Sequence, residues 1–433
     1  MAVYAGIGHI PAAPGPLAEI HRRRAVVGLQ AAMAASVRIN LLEHAVGCAA
    51  RDAVELMDCE VVQRAGERYE RSQGREGYRN GTAPGCVVIG GRKVKVRRPR
   101  LCTEDGRELP LVSYQALQDP TILDQAALGK VIDGVAQRQA HESFARDQPL
   151  PEDQEAYGDS KSSISRRWIA ATVASLEAEL QRPLGDRRYL AVLLDGKGFG
   201  DHLLVAAMGI DEQGHKHMLG LRDGGSEDQA VCSALLQDLT DRGLDVRPGV
   251  LVIIDGGKGL AAAVHALWGD MAVVARCREH KKRNILQHLP KGERRWVTNA
   301  LWQAWHLPDA EQAEQQLREL IAELEPRWPD AAGSLREGLA ETLVCQQLGL
   351  PADLANALGT TNLIENAFAT TESICHRVRR WRHAAQAKRW ATMALLKAER
   401  GFGTVAPPER MAVLAQRLQE HLSRRTAALR LAI

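Results

Sequence analysis

Apolar residues recur at three- and four-residue spacing from about residue 17 to 66, through Leu41, Leu42, Val46, Val54, Leu56, Met57 and Val61, and predict one long helix. Between residues 75 and 111 the period changes. Gly and Pro punctuate short β-type runs at 86–89 and 93–96, which read as a hairpin. Helical periodicity returns over 121–180. From 189 onward strand signals take over: an apolar run at 189–194 ends at Asp195-Gly196, a second at 202–210 ends at the turn residues 211–214, and a third covers 217–221. Ser226 and Gln229 form a capping box for a helix reaching Thr240. A fully apolar strand at 250–254 then stops at Asp255-Gly256, and a helix at 260–268 leads to a last strand at 272–275.

The order β-β-β-α-β-α-β is the layout of a ribonuclease-H-like α/β fold. From 281 to about 358 the pattern is helical and rich in Trp, after which Thr360-Thr361-Asn362 opens another helix through Glu365 and Phe368. The ribonuclease-H-like core is thus expected to be interrupted by an all-helical insertion. The division that follows is 1–74, an N-terminal helical region; 75–115, a basic β-hairpin; 116–185, a helical and helix-turn-helix DNA-binding domain; 186–285, the first part of the core; 286–358, the insertion; 359–402, the last part of the core; and 403–433, a helical tail.

Composition narrows the class. At 433 residues, 45% hydrophobic and 25% charged, the chain can bury a sizeable core in two or three domains and is not disordered. Lys and Arg number 56 against 53 Asp and Glu, a balance that leaves any nucleic-acid surface to local patches. No apolar run approaches the roughly 20 residues of a spanning helix, and the basic N-terminal patch at 22–24 is soon followed by Arg38 and Glu43, so a leaderless cytoplasmic protein is expected. The eight Cys lack the density of a disulfide scaffold and are read as reduced. Six of the eight Trp lie after Trp268, which marks the C-terminal third as differently built.

Basic residues cluster in three places. Lys93, Lys95 and Arg97 alternate with Val94 and Val96, with Arg98 following, so one hairpin face can lie on phosphates or, equally, act as a charged guard on a solvated strand edge. Gly158 to Trp168 read as the second helix of a helix-turn-helix, offering Lys161, Ser163, Arg166 and Arg167 to a major groove; any capped surface helix has a similar pattern. After Ser373 comes a stripe with Arg377, Arg379, Arg380 and Arg382, which fits cleaved DNA ends or a solvated helix face.

Carboxylates carry the candidate chemistry. Two divalent ions about 4 Å apart can serve both the attacking and the leaving oxygen at phosphorus, and they need several hard oxygen ligands from different elements. Asp195 and Asp255 each stand where an apolar strand meets a Gly, and Glu365 at the start of a later helix is the third candidate. Taken singly, the two Asp-Gly pairs also read as turns and Glu365 as part of a capping box after Asn362. Lys258, in Asp255-Gly256-Gly257-Lys258-Gly259, lacks phosphate-loop spacing and is a candidate DNA contact. Cys277 and His280 form a Cys-x-x-His half-site without a second pair at zinc-finger spacing. Packing of Cys277 and a phosphate or active-site contact from His280 fit better.

Four segments together look familiar: Leu194-Asp195-Gly196, Asp255-Gly256-Gly257-Lys258-Gly259-Leu260, Arg276-Cys277-Arg278-Glu279-His280-Lys281-Lys282-Arg283-Asn284 and Thr361-Asn362-Leu363-Ile364-Glu365-Asn366. With Glu67-Arg68-Tyr69-Glu70-Arg71 and Gly77-Tyr78-Arg79-Asn80-Gly81 upstream, they make a chain that resembles the Mutator-type family of bacterial insertion-sequence transposases from about Arg68 to Phe402. Residues before Gly66 match only loosely, and the stretch from Trp381 to Trp390 is similar to one subgroup. The resemblance implies a DDE transposase with its catalytic triad at Asp195, Asp255 and Glu365 and its Cys-x-x-His element at Cys277 and His280. It also implies two Mg2+ ions, replaceable by Mn2+, and double-stranded DNA partners, namely terminal inverted repeats and target. A homodimer that pairs two element ends, and association with the nucleoid, complete the expectation. A nuclease or junction resolvase on the same fold, and a domesticated DNA-binding protein without catalysis, are the alternatives.

Overall fold

The computed structural model describes residues 16–69, 74–199, 202–224, 229–376, 378, 380, 381 and 383–431. The chain falls into two units, one of residues up to 131 with 135–171, the other of 132–134 with 172 onward.

In the first unit the long helix α1 (Pro16–Ala65) supplies Ala50, Ala53, Met57, Val61 and Ala65 at three- and four-residue intervals. These pack on Val87, Val94 and Leu101 of a hairpin, β1 (Tyr78–Ile89) and β2 (Arg92–Cys102), with Leu111 beside them. Ile89 stands opposite Arg92, and the two-residue turn uses Gly90 and Gly91 at φ +56° and +85°, a conformation costly for any residue with a Cβ. A short strand β3 (Glu108–Leu109) adds to the free edge of β2, and helices α2 (Val112–Ala116), α3 (Pro120–Ile132) and α4 (Ala140–Asp147) follow. Strand β4 (Ala156–Tyr157) also pairs with β2 before helix α5 (Lys161–Gln181) begins. Here the sequence expectation needs correction. A helix-turn-helix joins its helices by three or four residues, whereas residues 148–160 separate α4 from α5, because Lys95 donates its N–H to the Glu155 carbonyl at 2.8 Å and draws the connection into the sheet.

The second unit is built on a five-stranded sheet, β5 (Tyr189–Phe199), β6 (His202–Asp211), β7 (Lys216–Gly224), β8 (Val250–Ile254) and β9 (Ala272–Arg276), in the order β7-β6-β5-β8-β9. The first three are antiparallel, while β5, β8 and β9 run parallel. Alternation sorts their side chains to two faces. Leu193, Leu251 and Ile253 join one core cluster, while Val192, Leu194, Val252 and Ile254 join another. Helices α6 (Gln229–Asp241) and α7 (Lys258–Trp268) cover the second face. Ser226 of the expected capping box lies outside the described residues.

Between β9 and the next sheet-covering helix come α8 (Arg278–Gln287), α9 (Arg294–Trp305), α10 (Ala310–Leu324), α11 (Pro329–Arg336), α12 (Leu339–Thr342), α13 (Val344–Gln347) and α14 (Ala352–Leu358). Much of this segment has its own core, in which Leu301, Trp305, Leu317, Leu324 and Leu335 are buried. Helix α15 (Asn362–Cys375) then buries Ile364, Ala367, Phe368, Thr371 and Cys375, one stripe of a 3.6-residue period, largely against the first face of the sheet. Helices α16 (Ala384–Glu399) and α17 (Pro408–Leu431) complete that face. Among the described residues no helix is long and apolar enough to cross a membrane, and all eight thiols are free.

One ion-pair network fastens the inserted helices to the sheet. Lys281 of α8 is fully buried and donates to the Ser334 carbonyl at 2.5 Å and to Glu337 Oε2 at 2.8 Å, while Arg276 at the end of β9 holds Glu337 Oε1 at 2.9 Å. Hydrogen bonds from Arg276 and then Lys281 pull the Glu337 carboxyl down to about 2. Glu337→Gln leaves a buried ammonium without its counter-charge, and since Glu337 is itself largely exposed, a loss of roughly 1–3 kcal/mol is expected at pH 7. A carboxyl depressed by folding stabilises fully above its unfolded value of about 4.5 and loses that contribution as pH falls toward 2. Urea denaturation of both proteins therefore should show a gap at pH 7 that closes across this acid window; a gap independent of pH rejects the ion-pair origin.

Candidate active site

The parallel register of β5 and β8 sets the site. Leu193 lies opposite Ile253, so Asp195 and Asp255 each follow two residues beyond the same pair, just past the point where the β5–β8 pairing stops. Asp255 comes just after the fully buried strand β8, and its Oδ1 accepts the Gly257 N–H at 2.7 Å. Gly256 stands at φ +98°, and a Cβ there would lie 2.1 Å from Arg276 Nε, so only glycine lets the chain turn. Asp195 departs from the sequence reading in one respect: β5 does not end there. It continues paired with β6 as far as Phe199 opposite His202, and what stops before Asp195 is the pairing with β8. Losing that neighbour exposes a side for the carboxylate without breaking the strand.

Asp195 is 5% exposed, with its Oδ1 accepting the Gly196 N–H at 3.0 Å. Burial pushes its carboxyl up to about 7. The His280 imidazole opposes this shift, while the negative charges of Asp255 and Glu365 add to it. The charges of Asp255 and Glu365 thus both reach Asp195.

Glu365 arrives on the first turn of α15. The residue capping that helix is Thr361, not Asn362, and no side chain closes a capping box. Glu365 Oε1 instead accepts from Thr361 Oγ1 at 3.1 Å and stands 3.6 Å from His280 Nδ1. Cys277, at the junction of β9 and α8, is fully buried; its Sγ accepts the Thr361 N–H at 3.2 Å and lies 3.2 Å from the Thr361 hydroxyl, whose one proton serves either this sulfur or Glu365. Burial alone would raise this thiol, but hydrogen bonds from His280 and Thr361 draw it below its ordinary value. The same Cys277 hydrogen bond, opposed by burial and aided by the charges of Asp195 and Glu365, lifts His280 to about 9. The hydrogen bond between Cys277 and His280 thus draws the thiol down and the imidazole up, each favouring the charged form of the other.

Among the described residues, the group of three potential ligands whose donor atoms all fall within 4.8 Å of one another is Cys277, His280 and Glu365; Asp195 and Asp255 stand outside that span. The sequence pointed to Cys277 and His280 but did not single out Thr361, which touches both of them and Glu365. Its signal was available in the position of a Thr four residues before a candidate acid, one helical turn away.

The candidate DNA contacts divide. In the first unit Lys95 is exposed and paired with Glu155, Arg97 is exposed and reaches Thr82 at 3.1 Å, and Lys93 is half-buried. Arg98 is turned to the other side, paired with Glu108 at 2.5 Å and lying over the Tyr114 ring. Lys161 and Arg166 are exposed on α5, with Ser163 beside them. Arg167 points inward, donating toward the Gly91 carbonyl at 3.4 Å. In the second unit Lys258 and Arg380 are exposed, whereas Arg377, Arg379 and Arg382 lie outside the described residues.

Residues 19–386 match the family model described as transposase, Mutator family. Over 211 residues the chain is 29% identical to the transposase for insertion sequence element IST2 of Acidithiobacillus ferrooxidans, covering 48% of this chain and 69% of that protein. It is 26% identical over 320 residues to the transposase for ISRM5 of Rhizobium meliloti, covering 72% and 76%. The match to the transposase for IS1081 of Mycobacterium tuberculosis is 32% identical over 193 residues, covering 42% and 45%. With most of its length inside the family model, and with relatives that carry out insertion-sequence transposition by name, this chain belongs to the Mutator family of transposases.

Proposed function

We propose that the chain is a DDE transposase of a bacterial insertion sequence that cuts at terminal inverted repeats and joins the freed 3′ ends to target DNA. The observation that carries this reading is the register that sets Asp195 and Asp255 side by side beyond Leu193 and Ile253, with the charges of Asp255 and Glu365 both reaching Asp195, in a chain of a transposase family. Three antiparallel strands followed by two parallel ones, with helices on both faces and a helical segment ahead of α15, support a ribonuclease-H-like core with an insertion.

The acids suit Mg2+ or Mn2+. A carboxyl that burial and two neighbouring acids drive to hold a proton near neutral pH is relieved by a nearby divalent charge, and carboxylate oxygens are the hard donors such ions take. Asp195, Asp255 and Glu365 would hold two ions, and these, when bound, supply an activated water or 3′-hydroxyl and charge stabilisation at phosphorus. The chain's own residues orient the acids: the Gly196 and Gly257 N–H groups fix one oxygen each of Asp195 and Asp255, and Thr361 with His280 flanks Glu365. Lys93, Lys95, Arg97, Lys161, Arg166, Lys258 and Arg380 are the described cations offered to DNA phosphates; Arg98 and Arg167 support the fold around them. A homodimer holding two ends, acting at the nucleoid in the cytoplasm, completes the proposal.

Purified protein with Mg2+ and a labelled inverted-repeat end is expected to nick that end and join it to target, and Asp195→Ala to lose both by at least about 1000-fold. Cleavage without joining makes the chain a nuclease, and binding without either makes it a regulator.

The raised Asp195 carboxyl has a stability consequence. Because folding raises its proton affinity from 3.8 to about 7, stability falls as pH rises between those values and the full cost is present above 7. Asp195→Asn removes that cost. It is expected to be roughly 1–3 kcal/mol more stable than the parent at pH 8 without metal, and equal to it near pH 4. Mg2+ should raise the melting temperature of the parent at pH 8 and leave the variant nearly unchanged. A variant that melts below the parent at pH 8 would exclude the buried-charge account.

A further inference from the structure

Thr361 spends its side chain in an unusual way. As the residue before the first turn of α15, it stands where a Thr hydroxyl ordinarily accepts an N–H of that turn, yet it makes no such bond. The hydroxyl is turned inward, with the residue fully buried, and faces three polar atoms: Cys277 Sγ at 3.2 Å, His280 Nδ1 at 3.2 Å and Glu365 Oε1 at 3.1 Å. A helix cap has been given up for contacts to one acid and to the two residues of the Cys-x-x-His element.

A hydroxyl has one proton to donate and lone pairs to accept with. When His280 donates from Nδ1 to the Thr361 oxygen, the single hydroxyl proton goes to either Glu365 Oε1 or Cys277 Sγ. The Thr361 backbone N–H holds Cys277 Sγ in both cases, at 3.2 Å, so donation to Glu365 leaves the sulfur with a partner. The link is anchored at both ends. Arg278 donates its backbone N–H to the Gly359 carbonyl at 3.0 Å, and Glu365 donates its N–H to the Thr361 carbonyl at 3.0 Å. Thr361 therefore ties the β9–α8 junction to the first turn of α15 at the point where Glu365 leaves the helix.

We infer that Thr361 is a positioning residue: its hydroxyl connects Cys277 and His280 to Glu365 and fixes the rotamer in which Glu365 meets a divalent cation. This rests on the assignment of Glu365 as a metal ligand given above, and explains why a Cys-x-x-His pair belongs at a carboxylate site without itself binding metal.

The test uses the full chain, Mn2+ titrations followed by electron paramagnetic resonance without DNA, and cleavage kinetics on an inverted-repeat end. Thr361→Val keeps the shape and removes the hydroxyl, and Thr361→Ser restores it. Thr361→Ala serves if the Val variant does not fold. Loss of either hydroxyl-free variant's Mn2+ affinity by roughly 10- to 100-fold, with a matching fall in kcat, an unchanged KM for DNA and recovery in Thr361→Ser, is the expected result. Parent-like Mn2+ binding in Thr361→Val, or a Thr361→Ser as impaired as Thr361→Val, overturns the inference. A Co2+ absorption band of thiolate character, lost in Cys277→Ser, would overturn it too by making the three donors a metal site. Glu365→Gln separates the two levels: if it binds Mn2+ like the parent, the ligand assignment itself fails, whereas an impaired Glu365→Gln beside a normal Thr361→Val defeats only the role given to Thr361.

Discussion

Like charges repel, so a cluster of carboxylates at the edge of a sheet exists only where rigid elements hold them against one another. Asp195 and Asp255 meet this requirement through the parallel pairing of two buried strands, in which Leu193 against Ile253 leaves no freedom of register without moving apolar residues to the wrong face. The cost is electrostatic rather than conformational: burial first, and the charges of Asp255 and Glu365 after it, push the Asp195 carboxyl up to about 7. A fold organised for stability alone would place an apolar or amide side chain there. The cost is consistent with a position kept for binding charge.

Glu365 reaches the same place by a different route, and its arrival depends on the inserted helices. The chain leaves the sheet after β9 at Cys277 and returns at Thr361, more than eighty residues later, and the two ends are joined by contacts to the Cys277 sulfur. Arg278, next to that sulfur, is almost fully buried and donates to the Thr342 carbonyl at 3.0 Å, the Trp305 carbonyl at 3.2 Å and the Gln346 side chain. Its charge has no carboxylate among these partners, and burial lowers its proton affinity without freeing it from the guanidinium's normal charged state. A guanidinium satisfied by backbone carbonyls is a geometric clamp, since each of its planar donors fixes one direction. Together with the Lys281–Glu337–Arg276 network it makes the insertion part of the frame that sets the distance between β9 and α15, rather than an appendage on a loop.

Much of this was legible in the chain because local period and burial agree. The continuous apolar runs of β6 and β8 and the stripe along α15 each announce their element, and the acids at 195, 255 and 365 stand near the transitions such patterns mark. What local pattern could not carry is pairing. Asp195-Gly196 reads as a turn in isolation but lies inside a strand, because β6 continues to pair with it after β8 has stopped. The helical periodicity over 121–180 gives no sign of a strand, yet the edge of β2 captures Ala156 and Tyr157. Arg98 and Arg167 look like their exposed neighbours in sequence and are turned inward by Glu108 and by the Gly91 carbonyl, partners ten and seventy-six residues away.

Thr361 is the sharpest case of this division, and it shows why motifs read as strings understate a site. Its type and position predict a helix cap, a role in which the hydroxyl serves the backbone of its own helix. The structure gives that hydroxyl three partners, two of them more than eighty residues away, and the choice follows from where the chain returns after the insertion: an inward hydroxyl is buried beside His280 Nδ1 and Glu365 Oε1 as well as the Cys277 sulfur that the Thr361 N–H already holds. A buried polar atom left without a partner costs more than a missing cap at a helix end open to water. The local preference therefore yields to the long-range one, and the residue that begins α15 also joins Glu365 to the Cys-x-x-His element.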